Sequence, residues 1–229
     1  MCGRFSLTSS EEQIAAILPE LIFDFEVQPR YNIAPTQDIP AVLNTNATHV
    51  QLVHWGLVPH WAKDRAIGSR MINARAESLA EKNSFRRPLR KQRCIVLADG
   101  FYEWQTVPGQ KQRQPMYIRL HGGRPFAFAG LWDAWRSPEG EALVSATLIT
   151  TPPNTLIAPI HDRMPAILPQ EHFAAWLSPE EREPEDVLPL LAPFPATAME
   201  AYAVSTRVNR PGIDDRGCIS PSTERGLFD

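Results

Sequence analysis

The rhythm of polar and apolar positions changes near residue 94. Before that point short helical stripes alternate with extended segments. Ile14, Ala15, Ile17 and Leu18 form a stripe at helical spacing, and Ser9 with Glu12 three residues later has the layout of a capping box. The pattern predicts a short helix over residues 11–18, preceded by an extended piece at 2–7. The stretch RYNIAPTQDIPAVL (30–43) is irregular where Pro35 and Pro40 interrupt it and strand-like at its end. Residues 51–58 read as a strand running into a turn at 56–61, and a weaker helix is predicted over 76–83. Beyond residue 94 strands dominate, at 94–98, 100–105, 116–120, 126–130 and 143–150, separated by Gly and Pro turns. Residues 169–177, with Pro169 at their start, fit a helix, and 185–191 fit another that Pro189 limits. Short strands in such number imply a curled or barrel-like sheet. The expected class is α+β, a single domain with a predominantly antiparallel sheet and a few short flanking helices.

Composition narrows this further. The 229 residues suffice for one substantial core, and nothing in the length demands a second. Twenty-two prolines point to loops and short strands rather than long helices. No stretch is apolar and long enough to span a bilayer, and residues 1–19 lack the basic-then-apolar layout of a signal peptide. A cytoplasmic location is expected, or a nuclear one in a eukaryote. Cys2, Cys94 and Cys218 are odd in number and widely spaced, with no C-x-x-C pair. They suggest neither a disulfide framework nor a zinc site, and no cofactor is implied.

A net charge of -3 argues weakly against a nucleic-acid partner, but its distribution is uneven. The run KNSFRRPLRKQR, from Lys82 to Arg93, is basic without an acid, while residues 171–200 are rich in Glu. A positive face in a slightly acidic protein and a solvated helix end with its loop both account for the run.

Four polar segments are candidates for chemistry. Cys2 follows the initiator and is small, so removal of Met1 is expected to leave an α-amine and a thiol on one carbon skeleton. The amine titrates near ~8 and the thiol near ~8.5, so a modest push makes either nucleophilic. Such a 1,2-aminothiol condenses with an aldehyde, first as an imine and then as a five-membered thiazolidine. Asn73 and Arg75 fall on one side of an extended piece, an amide beside a guanidinium suited to phosphate; a simple helix start also fits them. Glu103 lies among Phe101, Tyr102 and Trp104, where poor solvation raises a carboxyl toward neutrality and makes it an acid-base candidate, unless it points into water from a strand edge. Trp104, on the opposite face, offers a flat surface for a nucleobase or for core packing. His161 can shuttle a proton at neutral pH, with Asp162 to orient a neighbour and Arg163 to bind phosphate; a structural His is the alternative.

These segments, taken with MCGRF at the start, RYNIAPTQ at 30–37, WGLVPHWA at 55–62, INARAES at 72–78, RCIVLADGFYEW at 93–104, IHDRMP at 160–165 and VNRPGIDD from Val208, resemble the SRAP family of SOS-response-associated peptidases. The motifs span residues 1 to about 215 in the family's order. The resemblance implies a sensor of abasic sites in single-stranded DNA that cross-links to the ring-opened sugar aldehyde through its N-terminal Cys and shields the lesion. It makes Cys2 the nucleophile, Asn73 its positioning group, and Glu103 and His161 the proton-handling pair. Arg4, Arg75 and Arg163 fall where the family contacts phosphates, and Pro35 and Trp104 where a nucleotide is accommodated. Trp61 falls where the family has a base-unstacking wedge, although the second aromatic that can accompany it is here Ala62. The implied partner is single-stranded DNA bound by a monomer, without a membrane.

Two other classes fit the same residues. Cys2, Glu103 and His161 together also resemble a Cys-His-acid set, as in an N-terminal-nucleophile thiol peptidase or amidohydrolase. A plain single-strand-binding module, indifferent to the lesion and steeply salt-dependent, is the non-enzymatic possibility.

Overall fold

The computed structural model describes residues 2–222. In chain order its strands are β1 (Phe5–Leu7), β2 (Ile22–Phe23), β3 (Arg30–Ile33), β4 (Asp38–Leu43), β5 (His49–Trp55), β6 (Asn73–Arg75) and β7 (Arg93–Ala98). They continue as β8 (Gly100–Gln105), β9 (Gln114–Leu120), β10 (Phe126–Arg136), β11 (Ala142–Thr151), β12 (Met164–Pro165), β13 (Ile167–Leu168) and β14 (Met199–Ala203). Short helices α1 (Glu11–Ala15), α2 (Asn83–Lys91), α3 (Phe173–Trp176) and α4 (Pro184–Val187) flank them. No helix among the described residues is long and apolar enough to cross a membrane.

Strands β11, β10, β7, β4 and β5 pair in that order, and β5 returns to β11 in parallel through Ser145 with His54 and Ala146 with Trp55. The result is a closed five-stranded barrel, which leaves no open edge among those strands. Every residue of β7 is buried, because the barrel interior fills one face and packed elements cover the other. A second, antiparallel sheet runs β14-β9-β8-β1-β3. Phe5 and Phe101 of that sheet pack edge-on against Phe128 of β10, and Phe5 also meets Trp55 at 5.2 Å between ring centres. Those four rings join sheet to barrel in one core.

Alternation on β8 then acquires a meaning. Phe101 and Glu103 point toward the barrel side, whereas Tyr102 and Trp104 join a smaller cluster with Tyr117, Val204, Val208 and Cys218. Asp99, between β7 and β8, accepts hydrogen bonds from Ser6 Oγ at 2.6 Å, from Thr8 Oγ1 at 2.8 Å and from the Ser9 amide at 2.8 Å. One buried carboxylate thus fixes β1, the strand that follows Cys2.

Several elements differ from the sequence expectation for physical reasons. Helix α1 is capped by Ser10 with Gln13 in a reciprocal capping box, because Ser9 is committed to Asp99, and it ends at Ala15. The helix expected at 76–83 is only a 3-10 turn at Ala76–Ser78, and the basic run itself is helical as α2. There Phe85, Pro88 and Leu89 make a buried stripe beneath the charges. Segment 30–33 is a strand, and Pro40 sits inside β4 opposite Leu52. Strand β10 runs on past Gly130, where a Cβ would lie 2.8 Å from Cys94 Sγ, so this glycine marks close packing and not a strand end. The two later helices are each half 3-10, at Gln170–His172 and Leu188–Leu191.

Candidate active site and nucleic-acid interface

Four chain segments converge where the second sheet meets the end of β11. Cys2 precedes β1, Asn73 opens β6 in parallel register with Leu148, Glu103 projects from β8, and His161 lies on the loop after β11. Asn73 Nδ2 donates to the Cys2 carbonyl at 2.8 Å, fixing the nucleophile's backbone. Asn73 Oδ1 is buried and accepts no hydrogen bond from any described residue, so the amide keeps an acceptor for a further donor.

Cys2 is fully buried, with Sγ 3.8 Å from the Arg4 carbonyl oxygen. Burial, and then the neighbouring charge of Glu103, push its thiol well above the ordinary range. Glu103 is only 1% exposed, and burial raises its carboxyl to about 7. Its Oε2 is 3.7 Å from His161 Nε2. His161 Nδ1 accepts the Arg163 amide at 3.0 Å and lies equally close, at 3.0 Å, to Asp162 Oδ1, while Nε2 of the neutral ring faces Glu103. Burial holds the imidazole below its usual range and favours that neutral form.

Of the remaining expected residues, all but Trp61 lie on the segments next to these four or on those that brace them. Arg163 donates to both carboxylate oxygens of Glu77, at 2.6 and 2.9 Å, and to Thr150 O at 2.5 Å; it braces the loop of His161 to the end of β11. Arg4 reaches Val208 O at 2.7 Å and Asn32 Oδ1 at 3.3 Å. The half-buried Trp104 donates through Nε1 to Asn209 Oδ1 at 2.7 Å, so Arg4 and Trp104 meet on one segment. Arg75 is exposed at the end of β6. Pro35 is half-buried in the β3–β4 loop, where the next residue, Thr36, holds φ at 69°, a left-handed conformation a β-branched residue rarely adopts. Trp61 stands apart, 51% exposed on the turn after β5, in a groove with Asn83, Ser84 and Arg86.

The basic run is less open than its sequence suggests. Arg93 is buried and donates to the carbonyls of Trp176 and Ser178, while Arg90 and Lys91 pair with Glu181 and Arg90 also with Glu183. The exposed cations toward the start of α2 are Lys82, Arg86 and Arg87. Sequence reasoning assigned no role to Asp99, Glu77 or Asp214. Asp214 pairs with Arg30 and accepts the amides of Tyr31 and Asn32, so the segment beyond Asn209 holds β3, and Val208 just before it holds Arg4. All three acids lie inside or beside the quoted motifs, and that was the available signal.

The arrangement suits condensation with a carbonyl: a thiol, a carboxyl that titrates near neutrality, a neutral imidazole and a fixed amide. Comparisons with known proteins agree in kind. The model of the family described as SOS response associated peptidase (SRAP) matches residues 1–211. Abasic site processing protein YoqW of Bacillus subtilis strain 168 is 47% identical over 214 residues, covering 92% of this chain and 95% of that protein. Abasic site processing protein HMCES of Mus musculus is 32% identical over 271 residues, covering 97% of this chain and 76% of that protein. A crystal structure from Bacteroides thetaiotaomicron has the same fold, with a TM-score of 0.85 at 29% identity over 96% of this chain and 100% of that one. With a match of this length and these relatives, the chain belongs to the SRAP family.

Proposed function

We propose that this protein processes abasic sites in single-stranded DNA by cross-linking to them through Cys2 once Met1 has been removed. The observation that carries the reading is the hold of Asn73 on Cys2, beside a carboxyl raised to about 7 and an imidazole facing it. The names of the relatives support the substrate, since an abasic site presents a small open-chain aldehyde fraction.

The chemistry runs in three balanced steps. Ring opening moves a proton from the C1' hydroxyl to a base and returns one to the ring oxygen, a task for Glu103 and His161. The α-amine of Cys2 adds to the aldehyde and water leaves, giving an imine. The sulfur then adds to the imine carbon while the thiol proton passes, by way of Glu103, to nitrogen, closing the thiazolidine. Holding amine and thiol beside the opened sugar gives the effective concentration that makes a rare aldehyde usable.

DNA is held by its backbone and by stacking, with Arg4 and Arg75 on phosphates, Arg163 securing the His161 loop beside them, Trp104 and Pro35 against nucleotides, and Trp61 wedged between bases. Little sequence preference results. The protein acts as a monomer in the cytoplasm, on DNA when a lesion is bound. The deciding experiment is intact mass before and after incubation with an abasic oligonucleotide. The expected result is a chain lacking Met1 that gains the mass of the oligonucleotide less water, with no gain for Cys2→Ala. Adduct formation by a chain that retains Met1 would refute the mechanism, and turnover of model amides would mark a thiol hydrolase instead.

A further inference from the structure

Trp61 is exposed, yet the turn that carries it is fastened almost residue by residue. The Gly56 amide donates to Ala146 O at 2.9 Å, Leu57 to Met71 O at 3.1 Å and Val58 to Ser145 Oγ at 2.8 Å. Immediately before Trp61, the His60 amide donates to Asp133 Oδ2 at 2.9 Å and His60 Nδ1 lies 3.0 Å from the same oxygen. Immediately after it, the Ala62 carbonyl accepts the indole N–H of Trp135 at 2.7 Å. Asp133 and Trp135 stand two apart on β10 and so share a face, and they are 2% and 4% exposed.

Asp133 also reaches the other wall of the groove. Its Oδ1 accepts from Gln92 Nε2 at 3.2 Å and from Arg87 at 3.3 Å, tying the end of β10 to α2. Arg86, next to Arg87, lines the groove with Trp61, Asn83 and Ser84. Burying a carboxylate is expensive unless donors surround it, and here the donors come from the Trp61 turn and from α2 together. The burial therefore fixes one aromatic surface relative to one cation. Ser145, which anchors Val58, lies three residues before Leu148, the partner of Asn73, so the Trp61 turn is fastened to β11 about 10 Å along the strand from where Asn73 pairs.

We propose that Asp133 and Trp135 are positioning residues that hold Trp61 beside Arg86 as a preformed subsite for one nucleotide flanking the lesion, its base on the indole and its phosphate at Arg86. The inference rests on reading the protein as a single-strand DNA binder. A platform fixed before binding loses little freedom on contact, so the stacking free energy is retained as affinity.

A double-mutant cycle tests it, read by fluorescence anisotropy with a labelled, undamaged single-stranded oligonucleotide. Trp61→Ala is expected to weaken binding about tenfold. Trp135→Phe keeps the ring that fills the pocket but removes the donor to Ala62. It is expected to weaken binding about threefold in the wild-type background and not at all in the Trp61→Ala background. Asp133→Asn gives a second entry to the same cycle, and thermal melts establish that each variant is folded. Equal losses in both backgrounds would mean that Trp135 only stabilises the fold and would overturn the proposal. It would also be overturned by wild-type binding in Trp61→Ala, or by failure of the wild-type protein to bind the strand. Cross-linking of an abasic oligonucleotide by the wild-type protein is scored separately: its failure sinks the proposed function, while the cycle alone decides the positioning.

Discussion

Glu103 Oε2 stands 3.7 Å from His161 Nε2, a carboxyl on one sheet facing an imidazole on the loop that leaves the barrel. That separation is longer than a formed hydrogen bond, and the two groups face each other across the site. Burial favours the uncharged form of both: it raises the carboxyl to about 7, where it exchanges protons near neutrality, and lowers the imidazole, which stays neutral there.

Glu103→Gln removes the proton exchange and keeps the shape. Cross-linking to an abasic oligonucleotide, followed on denaturing gels, is expected to slow about 100-fold, while affinity for undamaged single strands stays within about twofold. Parallel loss of both would assign Glu103 to the architecture of the site and not to its chemistry.

The same carboxyl makes stability depend on pH with a definite sign. Folded Glu103 titrates near 7 against 4.5 for an ordinary glutamate, so between those values the native state holds a proton the unfolded chain has released. Its contribution is complete below 4.5 and disappears as pH rises through 7. Glu103→Gln does not titrate, and its stability relative to wild type is expected to increase between about pH 5 and pH 8, by up to ~3 kcal/mol. Parallel pH profiles of urea unfolding for the two proteins would contradict this.

Asn73→Ala deletes the bond to the Cys2 carbonyl and the buried acceptor Oδ1 together. Cross-linking is expected to fall at least tenfold, with a stability loss of only ~1 kcal/mol, the usual net value of one hydrogen bond. A rate that follows stability alone would remove Asn73 from the site.

Gly100→Ala probes the packing of β8 against β9 and β1 within the second sheet. A Cβ there would come within 2.1 Å of Tyr117 Oη, the hydroxyl that also bonds Ser6 at 2.8 Å. The clash displaces the strand that follows Cys2, and a loss of ~3 kcal/mol in urea unfolding is expected. Cross-linking should weaken with it, and wild-type stability would show that Tyr117 moves freely.

The barrel strands were legible because their signals are local, whereas Cys2, Asn73, Glu103 and His161 gave weak signals singly and were grouped by their motifs taken together. On β8, alternation of Phe101 and Glu103 with Tyr102 and Trp104 already separates the two faces that the fold uses. What stayed hidden depends on distant partners. Ser9 and Ser10 are equivalent as caps until Asp99, some ninety residues on, claims Ser9. Arg93 reads as a surface cation until the carbonyls of Trp176 and Ser178 surround it. Helix α2 was masked by its own charges, since Phe85, Pro88 and Leu89 are outnumbered by basic neighbours. The fastening of the Trp61 turn needs the end of β10, which the glycine at 130 had seemed to terminate.

Closure of β5 onto β11 sets an order of events during synthesis. The ring cannot be completed until residues 145 and 146 have been translated, and His161 comes later still. Cys2 leaves the ribosome among the first residues and is housed among the last, because its pocket is built from contacts of long sequence separation, which form slowly. Until then its thiol is in water and open to oxidants. Substitutions that delay the ring will therefore show up first as sulfenic acid or mixed disulfide at Cys2.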